Sequence, residues 1–107
     1  MTGYCLVLTT TDSREAAREL ADSAVRGRLA ACAQLVGPIE STYWWDGAVE
    51  TAAEWQLWFK TTDERYVALA EHVRDRHKYD VPEIVRVPIE AGSPAYLAWL
   101  RAETTCR

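Results

Sequence analysis

The residues able to do chemistry are few. The densest group is His77-Lys78-Tyr79-Asp80-Val81-Pro82-Glu83, joined by Cys32, Lys60 and the threonine run Thr9-Thr10-Thr11. A neutral imidazole is a common ligand for copper, zinc and nickel, a thiolate is a softer one, and a carboxylate such as Glu83 can complete a mixed site. None of these stands at a metal-site spacing, so a site using His77 must be assembled by the fold. Each residue also has a plain structural role open to it. His77 suits a cap or turn, His72 a solvated helix surface, Cys32 a small buried hydrophobe on a strand, and Glu83 a backbone anchor after proline. Lys60 either points a cation into a cleft or runs its stem over apolar neighbours to reach water. Asp80 and Glu83 can do acid–base work only if they converge in space. There is no GxGxxG, P-loop, GxSxG or HExxH, so the chain carries no standard catalytic signature and an enzyme is not expected. Cys5, Cys32 and Cys106 are widely spaced and outside any CxxC pattern, which indicates neither a disulfide framework nor a zinc ribbon.

The element that must position these groups is the stretch from Ala31 to Thr61. At its centre Asp46-Gly47 separates two apolar, aromatic and β-branched runs, the pattern of a hairpin turn with positive φ. The ribbon carries Trp44, Trp45, Trp55 and Trp58, four of the five tryptophans. Trp55, Leu57 and Phe59 alternate with Gln56, Trp58 and Lys60, so one face is apolar and the other mixed. Gly37-Pro38 interrupts the first arm, as a bulge or bend on an edge strand would. A ribbon this long overhangs the body of a small domain and calls for cover from another copy.

Around it, Tyr4–Thr10 reads as a buried strand. Asp12 with Glu15 forms a capping-box pattern before an amphipathic helix to about Arg28. Thr61 to Glu64 offers a second cap, before a helix to about Arg76. Glu83–Ile89 reads as a strand with an edge proline, and Ser93-Pro94 starts a last helix that buries Tyr96, Leu97, Trp99 and Leu100. The order is β-α-β-β-α-β plus a tail helix, an α+β ferredoxin-like arrangement with an antiparallel sheet, helices on one face and the other face open. No repeat or linker divides residues 1–107, which read as one domain.

Composition narrows the function. The 107 residues are 49% apolar with net charge −4 and no basic run, which argues against a nucleic-acid partner. No apolar run approaches the roughly 18 residues of a membrane span. No signal-peptide pattern opens the chain, so a cytoplasmic location is expected.

Leu29-Ala30-Ala31-Cys32, Tyr43-Trp44-Trp45-Asp46-Gly47, Phe59-Lys60-Thr61, His77 to Glu83, Pro88-Ile89-Glu90-Ala91-Gly92 and Tyr96-Leu97-Ala98-Trp99-Leu100, in this order and spacing, closely resemble the CutA family of divalent-cation tolerance proteins. The resemblance implies a ferredoxin-like homotrimer whose ribbon wraps onto its neighbours, with copper, Cu(II), or another divalent metal ion as ligand. The copper-binding pattern it implies has a cysteine ending the first strand and two adjacent histidines. Here Thr9 and Arg76 stand at two of those places and His77 keeps the third, beside Lys78. Three functions follow as expectations. The first is a trimer that binds a divalent ion weakly through His77, aided by Cys32 or Glu83 across a subunit cleft. The second is a sensing trimer, resembling the PII regulators, with Lys60, Glu83 and the Cys32 strand around a small anionic ligand. The third is an anchoring trimer with no ligand of its own.

Overall fold

Asp46 and Gly47 reverse the chain with φ of +50° and +78°, the left-handed pair that the Asp-Gly turn demands. In the computed structural model, which describes residues 2–105, this turn joins β2 (Cys32–Trp45) to β3 (Ala48–Thr62). The remaining elements are β1 (Tyr4–Thr11), α1 (Arg14–Arg26), a 3-10 turn (Asp63–Arg65), α2 (Tyr66–Arg76), β4 (Val85–Ile89) and α3 (Pro94–Thr104). The four strands form one antiparallel sheet in the order β2-β3-β1-β4. With its helices this is the α+β split arrangement read from the sequence, long hairpin and C-terminal helix included. The ribbon draws the molecule out to 44 × 25 × 21 Å.

Edge position explains both strand prolines, since neither edge strand needs every N–H for a ladder. Pro88 lies in edge strand β4, and Pro38 lies in edge strand β2, where the register breaks between Val36 and Ile39. Gly37 is required there because a Cβ would stand 2.7 Å from the Trp55 ring.

One sheet face carries the core. Cys5 and Val7 of β1 and Leu57 and Phe59 of β3 pack against Leu20 and Ala24 of α1 and Leu69 and Val73 of α2. Burying a side chain such as Phe59 contributes roughly 1.5–3 kcal/mol relative to exposure. The opposite face is read from the register, in which Lys60 pairs with Cys32 and Leu6, Leu6 with Val87, and Leu8 with Trp58 and Val85. Paired residues project to the same side. Val85 and Val87 remain exposed there, and towards the ribbon tip Tyr43, Trp44, Trp45 and Val49 are exposed on alternating faces.

Several local expectations change. The α1 N-cap is Ser13, whose Oγ accepts from the Ala16 N–H, and not Asp12. The helix closes at Gly27, before Arg28, which takes φ +62°, and β2 begins at Cys32 rather than Leu29. Thr62 makes no side-chain cap, and the 3-10 turn leads into α2 instead. β4 starts at Val85, two residues after Glu83. Ser93 does cap α3, with Pro94 following, but Tyr96 and Trp99 are exposed while Leu100 is buried. Their rings meet each other at 5.6 Å instead of entering the core. Cys106 lies outside the described residues.

Candidate functional site

His77 follows the last residue of α2, and its position comes from both ring nitrogens. Nδ1 accepts the Tyr79 backbone N–H at 3.1 Å, and Nε2 lies 2.7 Å from the carbonyl oxygen of Thr10 on β1. A carbonyl can only accept, so Nε2 is the donor of this pair while Nδ1 serves as the acceptor. Both nitrogens are thus committed to backbone. The ring also rests against Tyr79, 4.8 Å between centroids.

Tyr79 ties this loop to the ribbon. Its hydroxyl donates to Glu54 Oε2 at 2.9 Å, and Glu54 is only 8% exposed. Burial foremost, then the Glu54 bond and charge, raises the phenol pKa well above its ordinary value. The sequence reading missed this pair; its only local signal is a glutamate set among the ribbon's apolar residues.

The other sequence candidates fall into two groups. Cys32 and Lys60 are cross-strand partners, and α3 brings Tyr96 to both. Tyr96 Oη lies 3.7 Å from Cys32 Sγ, while Lys60 Nζ sits 5.8 Å from the Tyr96 ring centroid and donates to Gln34 Oε1 at 2.8 Å. Burial, then Cys32, raises the Tyr96 phenol pKa. Lys60 stands opposite Leu6, whereas His77 holds Thr10, four residues along β1. That separation is about 13 Å along the strand. Glu83 is exposed and precedes the point where β4 meets Leu8, on the Thr10 side. One chain therefore does not bring Glu83 to Lys60, nor Cys32 to His77. No cluster of three or more His, Cys, Asp or Glu able to hold a metal ion occurs among the described residues. The donors of one chain do not fit a complete metal site.

Thr9, at the place the copper pattern gives to cysteine, is 1% exposed and its Oγ1 has no hydrogen-bond partner among the described residues. His72 is half-buried on the helix surface, and its Nε2 lies 2.8 Å from Ser23 Oγ on α1. Burial and then Arg76 lower its pKa.

The fold and these surfaces define a ferredoxin-like α+β protein extended by a long aromatic ribbon. The profile described as "CutA1 divalent ion tolerance protein" matches residues 5–103. The chain belongs to the CutA1 divalent ion tolerance family. It is 46% identical over 99 residues to the chloroplastic Protein CutA 1 of Oryza sativa, covering 92% of this chain and 56% of that protein. The chain thus spans little more than half of that plant relative. Against the divalent-cation tolerance protein CutA of Thermus thermophilus it is 44% identical, covering 92% of this chain and 96% of the relative. The solved structure of the Thermus protein superposes with a TM-score of 0.92 at 43% identity, covering 95% of this chain and 99% of that one. CutA from Xylella fastidiosa superposes with a TM-score of 0.94 at 32% identity, over 96% and 99% of the two chains. No helix among the described residues is long and apolar enough to cross a membrane.

Proposed function

We propose that this chain serves divalent-cation tolerance as a cytoplasmic homotrimer that binds Cu(II), or a similar divalent ion, weakly through His77, with donors such as Cys32 or Glu83 supplied by neighbouring copies. The observation that carries the assembly is the uncovered apolar surface: Trp44 is 75% exposed and Trp45 58%, at the end of a ribbon flanking an open sheet face. A monomer would leave that area in water, and further copies would cover it, three being the number the family resemblance implies. The free thiols of Cys5 and Cys32 suit a reducing compartment.

Weak binding has a structural basis in His77. Ligation through Nδ1 keeps the Nε2–H on the Thr10 carbonyl as an orienting bond and gives up only the bond from the Tyr79 N–H. Losing one such bond costs about 0.5–1.5 kcal/mol, roughly 2- to 13-fold in affinity. Arg76 and Lys78 on either side add charge repulsion. The test is a calorimetric titration of metal-free protein with Cu(II), beside His77→Ala. Saturable binding that disappears in the variant supports the reading, and equal binding by both overturns it.

The convergence of Lys60, Tyr96 and Cys32 supports a second reading, a sensing trimer in which Lys60 meets a small anionic ligand in an inter-subunit cleft, with Glu83 contributed by another copy. A metabolite screen by thermal shift, repeated on Lys60→Gln, checks it: a ligand specific to this site raises Tm only when the lysine is present.

A further inference from the structure

A cleft of about 370 Å³ opens between α1 and the end of α2, lined by Ala16, Glu19, Leu20, Ser23, Arg76 and His77, with Thr11, Asp12 and Lys78 at one end. Most of its polar groups are already committed. Thr11 Oγ1 donates to the Ser13 carbonyl at 2.8 Å, and Ser23 Oγ donates to the Leu20 carbonyl and meets His72. His77 holds Thr10 and Tyr79, and Lys78 pairs with Asp12 at 3.8 Å. Two groups remain. Glu19 and Arg76 line the same cleft with opposite charges, yet neither makes an ion pair or side-chain hydrogen bond among the described residues. The apolar side chains of Ala16 and Leu20 lie in the same lining.

We propose that this cleft binds a free α-amino acid with an apolar side chain, its carboxylate on the Arg76 guanidinium and its ammonium on the Glu19 carboxylate. A zwitterion completes both charges at once, and the guanidinium presents the planar fork that a carboxylate matches. The aliphatic part replaces water against Ala16 and Leu20. The site lies within one chain and needs no metal ion, although it borders His77, so the titration is made on metal-free protein.

The test is an NMR titration of ¹⁵N-labelled, metal-free protein with L-leucine, N-acetyl-L-leucine and L-leucine amide as probes. L-leucine is expected to give saturable amide shifts clustered around Ala16–Ser23 and Arg76–His77. Blocking either charge of the probe, or making Glu19→Gln or Arg76→Gln, is expected to weaken binding by about tenfold or more. Blocking the amine should cost little further in Glu19→Gln, because both changes remove the same contact. Both substitutions sit at exposed positions, and an otherwise unchanged spectrum verifies the fold. Absent or displaced shifts with L-leucine, or equal affinity for N-acetyl-L-leucine and L-leucine, overturn the proposal.

Discussion

Replacing Tyr79 by Phe removes one hydroxyl and keeps the ring that packs on His77. The oxygen is the hydrogen-bond donor to Glu54 Oε2 at 2.9 Å, and Glu54 is 8% exposed. Water has little access to take the hydroxyl's place. A hydrogen bond to a charged group contributes about 1.5–3 kcal/mol. At about 4–8 °C per kcal/mol for a domain near this size, Tm should fall by roughly 6 to 24 °C. The assay is thermal and urea unfolding at fixed protein concentration, since an oligomer's Tm depends on concentration. The variants Glu54→Gln and Glu54→Gln/Tyr79→Phe complete a double-mutant cycle, in which Tyr79→Phe should cost at least about 1 kcal/mol less when the carboxylate is gone. An unchanged Tm for Tyr79→Phe, or fully additive losses, would refute the claim that this bond latches the 77–83 loop to the ribbon.

Other consequences follow from single contacts. Ser13→Ala should cost about 1 kcal/mol by removing the acceptor for the Ala16 N–H, whereas Asp12→Ala should stay within about 0.5 kcal/mol; denaturant midpoints compare the two. Gly37→Ala places a Cβ 2.7 Å from the Trp55 ring and should destabilise by about 1–3 kcal/mol, read as a lower Tm. Burial first, then Asp63, pushes the Cys5 thiol from 9.0 up to about 12. A folded-state pKa above the unfolded value stabilises fully below pH 9 and is lost as pH rises from 9 towards 12. Tm should therefore fall over that window, and less steeply in Cys5→Ala; equal slopes would count against a buried neutral thiol.

Much of the fold was legible because its signals are local. Asp46-Gly47 needs only two residues to specify a positive-φ turn, Ser93-Pro94 only two to start a helix, and alternation from Trp55 to Lys60 marks a strand whatever surrounds it. Register errors of one residue arose where two caps compete, as Asp12 and Ser13 do ahead of α1. The site was less legible. His77 is positioned by the carbonyl of Thr10, 67 positions away, and Glu54 by Tyr79, 25 positions away. Neither pairing leaves a periodic trace in the chain. Tyr96 and Trp99 show a different limit, since hydrophobicity asks for cover without saying whether the same chain supplies it.

Assembly underlies the proposed function, and one measurement tests it most directly: the mass of the purified chain by light scattering at micromolar concentration. With 12.1 kDa per chain, the proposed homotrimer gives three times that mass, about 36 kDa; the exposed ribbon and open sheet face call for partner copies, and the number three is the one the family resemblance implies. A monodisperse species of 12.1 kDa would mean that Trp44, Trp45 and the sheet face stand in water unaided, and would contradict the account.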